Sequence, residues 1–410
     1  MTQRTWAIMS IAVGSLLVAW NSGQEPFYLI SSVIFAMLIS TLFFGLFSIP
    51  HVTVRRELPE TVFEGDYLTM RLRINHQDHI EKAYVLLEDE CPVTCNENKR
   101  KVFLLEKLRP RETTTCEYQE RCLKRGVYTF HPPRISSSDP FGIFQWTQQL
   151  GKSTPFTVFP RLFHIEYIPY RLTGFIPWMG LAAGTTAGES HDFFGIREYR
   201  RGDSIRRIHW PSSARRRQLI VKQYERTYID EMSIIIDLAK GHNIGFEKES
   251  TGEYAIRIAG SVARYFLNQG SLVQFVGNAK EQTYLPFGKG ETHLYHLLEL
   301  LASVQIDGHK PLNTLLREML DAIPGRSTVV LIGVDYVYPQ LWSLYDLIKK
   351  EVTVIPIMLI AQTFSPYAET SLRGAIPHSD KRSPDTLARN IITIKQGEDL
   401  EQKFRELPWK

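Results

Sequence analysis

The chain has 410 residues, 43% of them apolar and 22% charged, and a net charge of +4. This is globular composition for two or three domains, which excludes a disordered or fibrous chain, and the charge is too small to define a partner by itself. Four cysteines, Cys91, Cys95, Cys116 and Cys122, are too few for a disulfide framework at this length. Their spacing matches no common zinc pattern, so they read as free thiols.

The first 50 residues are expected to form a transmembrane hairpin. Trp6 to Trp20 and Phe27 to Ile49 carry no charge. With their flanks they give spans over about residues 5–22 and 27–49, close to the ~20 apolar residues that cross a bilayer. Only NSGQEP separates them. Arg4 precedes the first span and Arg55 and Arg56 follow the second, so both ends are expected on the cytoplasmic side. The expected location is the cell membrane, with two spans and a cytoplasmic body.

Residues 51–160 read as an antiparallel β-sandwich. In Tyr67 to Ile74 (YLTMRLRI), Leu68, Met70, Leu72 and Ile74 share one face and Thr69, Arg71 and Arg73 the other. Further strands are expected at 52–57, 83–88, 102–107, 113–122, 126–131 and 143–149, seven in all. Residues 161–230 are expected to be a linker. Its first part, FIPWMGLAAGTTAGES, is rich in Gly, Ala, Thr and Ser, and its second part carries an arginine-rich motif.

Residues 231–365 alternate between continuous apolar strands (MSIIID, SLVQFVG, STVVLIGV, VTVIPIMLI) and amphipathic helices near 253–268, 291–305 and 312–323. Pro339 is expected to open a further helix through Lys350. The pattern predicts a doubly wound parallel sheet with helices on both faces, an α/β domain following the all-β one. Residues 366–410 are expected to be a C-terminal extension. Ligands of such sheets bind at the carboxyl ends of strands, where Asp237 lies.

Between the two domains, residues 195–225 read GIREYRRGDSIRRIHWPSSARRRQLIVKQYE. Arg197, Tyr199, Gly202, Asp203, Arg206, Ile208, His209, Trp210, Ala214 and Arg215 follow the pattern Arg-x-Tyr-x-x-Gly-Asp, Arg-x-Ile-His-Trp, Ala-Arg. In this the chain resembles the bacterial domain-of-unknown-function family 58 (DUF58), whose members occur with MoxR-type AAA+ ATPases. Pro211 stands where lysine is common in the family. Arg125, Gly126, Tyr128, Asp139, Pro140, Phe141 and Gly142 match a second family pattern upstream. The resemblance implies a von Willebrand A-like second domain and a MoxR-type ATPase as partner; it implies no reaction.

A von Willebrand A domain holds Mg²⁺ with Asp-x-Ser-x-Ser. Here that stretch is Asp237-Leu238-Ala239-Lys240-Gly241, so two oxygen ligands are missing and Asp237 is the sole candidate of a degenerate site. Thr292, Thr314 and Asp335 are candidates for later ligands. Neither metal nor cofactor is expected; Asp237 is expected to accept hydrogen bonds from backbone amides or a motif arginine.

The motif carries three readings. Arg–Asp pairs, with Asp203 beside Arg206 or Arg207 and Trp210 buried as an anchor, lock the segment in place. Alternatively or in addition, Arg197, Arg206 and Arg215 present a docking face to a protein. The third reading, binding of nucleic acid or anionic lipid through Arg215-Arg216-Arg217, is weakened by interspersed acids, and no nucleic acid is expected. An enzyme would have to use a cleft around Asp237 and His209, or a triad from Asp192, Ser204 and His209. No nucleophile elbow, phosphate loop or His-Glu-x-x-His accompanies them. The sequence therefore reads as a membrane-anchored, non-catalytic adapter.

Overall fold

The computed structural model describes residues 3–48, 50–94, 99–139, 143–168, 187–200, 203–225, 230–280, 283–340, 344–365 and 391–406. They fall into two compact units, 1–161 and 162–410.

The first unit opens with α1 (Gln3–Ser22) and α2 (Glu25–Ser48), which pack against each other across a two-residue connection. Gly23 has φ +66° and donates to the Ala19 carbonyl at 2.9 Å, an αL ending that only glycine adopts without strain. Residues Glu25–Phe43 are long and apolar enough to cross a membrane; the apolar stretch of α1, Trp6–Ser22, is shorter than that criterion.

Ten strands follow: β1 (Val52–Glu57), β2 (Val62–Phe63), β3 (Tyr67–His76), β4 (Lys82–Glu90), β5 (Arg100–Leu108), β6 (Thr113–Arg121), β7 (Gly126–Phe130), β8 (Arg134–Ser138), β9 (Gln145–Gln149) and β10 (Thr154–Phe159). They pair as β1-β3-β6, β2-β10-β7 and β5-β4-β8-β9, antiparallel except for β2 with β10. The alternation of β3 holds: Leu68, Met70, Leu72 and Ile74 are all buried, and Leu72 and Ile74 meet Val85, Leu87 and Ile135 of the facing sheet. All seven expected strands form. The three additional ones lack alternation; β8 is RISSS, with Ser136 and Ser137 buried. Inside the unit, Arg56 is ion-paired with Asp89 and donates to the His131 carbonyl at 3.0 Å, while Tyr118 donates to Asp89 at 2.6 Å. Burial and the Asp89 charge raise the Tyr118 phenol above its usual range. Cys91, Cys116 and Cys122 are free and buried, and burial pushes the Cys122 thiol up to about 12. Cys95 lies outside the described residues.

In the second unit, the stretch expected as a linker is largely structured. Its Gly/Ala/Thr-rich part lies mostly outside the described residues. Before it, however, Phe163, Ile165 and Ile168 enter the core of the unit. After it, β11 (Ala187–Glu198) pairs antiparallel with β12 (Ile220–Glu225), and α3 (Trp210–Arg216) lies between them in sequence.

The main sheet comprises β13 (Glu231–Ile236), β14 (Leu272–Gly277), β15 (Thr283–Gly288), β16 (Thr328–Val334), β17 (Thr353–Leu359) and β18 (Ile392–Ile394), in the order β15-β14-β13-β16-β17-β18. All neighbours are parallel except β15, which is antiparallel to β14. Alternate residues of the β-branched central strands feed two cores. Ile234, Ile236, Val330 and Ile332 pack with α4 (Thr251–Asn268) and α5 (Gly290–Ser303); Ile235, Val329 and Leu331 pack with α6 (Leu312–Met319) and α7 (Leu344–Lys349). Helix α4 begins at a capping pattern, Ser250 accepting from the Glu253 amide. Pro339 does not open a helix: it lies in a 3₁₀ segment, Asp335–Gln340, ahead of α7. Part of the expected C-terminal extension completes the sheet, because β18 pairs with β17 and the helix Leu400–Arg405 inserts Phe404 into the core, 5.3 Å ring to ring from Phe163.

Candidate functional site

Two clusters carry the residues singled out by sequence. The first is at the carboxyl end of β13. The Asp237 side chain is fully buried. Its Oδ2 is 2.6 Å from His242 Nδ1, and its Oδ1 accepts from Asn278 Nδ2 at 2.9 Å and from the Ala239 amide at 3.2 Å. Asn278, just past the end of β14, also donates to the Lys310 carbonyl at 2.9 Å and accepts from the Leu238 amide. The ring of Tyr336 stands edge-on to His242 at 5.6 Å. The hydrogen bond from Asp237 raises the His242 imidazole above its ordinary 6.5, against the opposing effect of burial. Burial, followed by the charges of Asp237 and Asp335, pushes the Tyr336 phenol up to about 12.

These residues do not fit a hard divalent cation. Ala239 and Gly241 offer no side-chain oxygen, both Asp237 oxygens already accept hydrogen bonds, and the neighbouring ring is a nitrogen donor. Among the described residues no group of three or more His, Cys, Asp or Glu forms a metal cluster. Thr292 lies in α5 and Thr314 in α6, while Asp335 accepts from the Tyr336 and Ala361 amides; the hydrogen bonds of Asp237 reach none of the three. One expected partner type, a backbone amide, is present. Among the described residues no motif arginine is a partner; His242 and Asn278 are, and neither was legible as a ligand of Asp237 from spacing.

The second cluster is the motif. Arg197, in β11, donates through Nη1 and Nη2 to the two oxygens of Asp203 at 2.7 and 2.6 Å, a bidentate pair. Asp203 also accepts from the Arg200 amide at 2.7 Å. The side-chain partner of Asp203 is thus Arg197, upstream in β11, and not Arg206 or Arg207, which lie in a 3₁₀ turn over residues 205–207. The Asp203 carboxylate raises the proton affinity of the Arg197 guanidinium through this bond, and the same bond, with the Arg200 amide, holds the Asp203 carboxyl down at about 2. The pair is half-buried at best, with 34% and 18% of the two side chains exposed.

Ile208 is buried and bridges to Val221, and Tyr199 donates its amide to the Leu219 carbonyl at 2.9 Å. His209 caps α3, with Nδ1 2.7 Å from the Ser212 hydroxyl. The hub is Ser213: its hydroxyl donates to the His209 carbonyl at 2.9 Å and accepts from the Ile220 amide at 2.9 Å. Trp210 is not a buried anchor but is 61% exposed, as is Ile205 at 69%. Arg206, Ala214 and Arg215 are exposed as well. Gly202 lies outside the described residues. Among the described residues no hydrogen bond joins Asp203, His209 and Asp237 to one another.

The features define a mixed α/β protein in which an arginine-rich strand–helix–strand segment precedes a six-stranded, mainly parallel sheet. Residues 195–374 match the model of the family described as "Protein of unknown function DUF58". It is 22% identical over 334 residues to "Uncharacterized protein YeaD" of Bacillus subtilis (strain 168), covering 78% of this chain and 80% of that one. Solved structures match only in part. The CARDB domain of PF1109 from Pyrococcus furiosus has a TM-score of 0.19 at 13% identity, covering 28% of this chain and 96% of that one. The β-glucosidase from Listeria innocua in complex with isofagomine has a TM-score of 0.17 at 13% identity, covering 27% and 16%. Neither carries an assignment for this chain.

Proposed function

We propose that the chain is a membrane-anchored, non-catalytic adapter that binds a partner protein through the motif and the α/β domain. In this reading both α1 and α2 are inserted in the cell membrane and the body is cytoplasmic. The observation that carries the reading is Trp210, exposed on a short helix whose backbone is fixed by the buried Ser213 hub, with Arg206 and Arg215 exposed before and after it in the chain. An aromatic and arginines presented on a fixed backbone are the residue types that dominate binding hot spots. The parallel sheet with helices on both faces and Asp237 at the end of β13 supports the finer description of a von Willebrand A-like domain without its metal. Family resemblance makes a MoxR-type AAA+ ATPase the first partner to test.

The test is direct binding of a purified MoxR-type ATPase from the same cells to the full chain in detergent. Trp210→Ala is expected to weaken binding roughly thirtyfold, the ~2 kcal/mol typical of a central hot-spot residue, with the melting temperature unchanged. Wild-type affinity in Trp210→Ala and Arg215→Glu, or no binding by the wild type, removes this reading.

A further inference from the structure

We infer that the β3–β4 turn and the start of β4 form a membrane-contacting foot, in which Ile80 and Tyr84 insert into the headgroup layer of the bilayer crossed by α2. The inference rests on the proposed insertion of α2 and adds a second point of contact to it.

Chain connectivity supplies the first argument. Helix α2 ends at Ser48, and the sequence is free of Asp, Glu, Lys and Arg from Pro26 to Val54. His51 follows by three residues, so it lies within roughly 11 Å of the end of the helix. His51 is fastened to the β3–β4 turn: its amide donates to Asp78 Oδ2 at 3.0 Å, its Nδ1 is 2.9 Å from Asp78 Oδ1, and its carbonyl accepts from the Gln77 amide at 2.9 Å. Burial alone would raise the Asp78 carboxyl, but the His51 amide and ring outweigh it and hold the carboxyl below its usual range. Ile80 is two residues further on, within roughly 7 Å of Asp78 along the chain. The turn is thereby tethered to the end of α2, next to which the interfacial zone between hydrocarbon and water lies when α2 is inserted.

Side-chain placement supplies the second argument. Ile80 is 68% exposed and Tyr84 is 71% exposed. Tyr84 has φ +53°, a conformation sparsely populated by bulky residues, and the β4–β5 ladder passes over it from Ala83–Lys107 to Val85–Leu105. The register is the same on either side of Tyr84, and alternation along β4, in which Val85, Leu87 and Asp89 are buried, sets Tyr84 on the opposite, outer face. Tyrosine suits the interfacial zone because its ring is apolar and its hydroxyl reaches water. Other exposed apolar residues occur on the sandwich, at Tyr67, Val102, Leu104 and Val127. What separates Ile80 and Tyr84 from them is the His51–Asp78 fastening to the end of α2.

The full chain, reconstituted in vesicles of phosphatidylethanolamine and phosphatidylglycerol, carries a fluorescent amino acid in place of Ile80, Tyr84, Lys124 or Ile39, one at a time. Lys124 follows the end of β6 that pairs with Tyr67, the far end of β3 from the turn, and Ile39 is an exposed residue of α2. A nitroxide near the top of the acyl chains is the quencher. Quenching at 80 and 84 several-fold stronger than at 124 supports the inference. Quenching at 39 with 80 and 84 no stronger than 124 overturns it and leaves the insertion of α2 standing. Absence of quenching at 39 overturns both.

Discussion

The hydroxyl of Ser213 ties both ends of the α3 segment, accepting from the Ile220 amide and donating to the His209 carbonyl in a buried position. Ser213→Ala takes the hydroxyl acceptor from the buried Ile220 amide, while the His209 carbonyl keeps the Ser213 amide at 3.0 Å, and is expected to lower unfolding free energy by about 1–3 kcal/mol, read by chemical denaturation in detergent. Asp203→Ala is expected to move the midpoint less, because its pair with Arg197 is screened by water. That smaller contribution has a defined pH dependence. The folded carboxyl titrates at about 2, below its ordinary 3.8, so the stabilisation is complete above that ordinary value. It is lost as pH falls toward 2, where wild type and Asp203→Ala converge. His242 runs the other way. Its raised proton affinity gives a contribution that is complete below 6.5 and is lost as pH rises through the folded value. NMR titration of the ring is expected to give a midpoint above 6.5 that falls in Asp237→Asn. At this scale the sequence marks residue types but not partners: Asp203 stands out beside Gly202, yet its arginine lies upstream. Nothing in the spacing of Asn278 or His242 ties either to Asp237.

The loops at the carboxyl ends of β13 and β14 are held together by a third segment, after α5. Gly308 donates its amide to the Leu238 carbonyl at 3.0 Å and accepts from the Lys240 amide at 2.9 Å. A Cβ on Gly308 would stand 1.8 Å from the Asn278 carbonyl oxygen and 3.1 Å from that of Leu238. Both obstacles are backbone, so Gly308→Ala has to push the loops apart. It is expected to cost about 1–3 kcal/mol, the usual range for overpacking, read by thermal denaturation. Elements with a clear period were legible: the strands β13, β14, β16 and β17 are continuous apolar runs, and α4 and α6 show one apolar face. The ones that were not legible have no period to read. Strand β15 is a half-exposed edge, TYLPFG with a proline; β18 is three residues; and α3 exposes Trp210 instead of burying it.

For the molecule as a whole, the two-span reading places the C-terminus on the side where Arg55 and Arg56 begin the body. A reporter fused after Lys410 is expected to be active only in a cytoplasmic assay; strong activity across the membrane removes the two-span arrangement. Arg56 illustrates why charge counts and folds have to be read together, since the residue that marks orientation is also the buried partner of Asp89. The contact between Phe163 and Phe404 has a consequence for the order in which the protein is made. Helices α1 and α2 and the sandwich leave the ribosome before the second unit and form a compact unit of their own, so they can fold while synthesis continues. The second unit cannot close in that way. Its core joins Phe163, at its beginning, to β18 and Phe404, which lie far downstream in the chain. Pairings this distant along the chain form slowly. The first unit of a nascent chain can thus be folded while the larger domain still waits for the strand that completes its sheet.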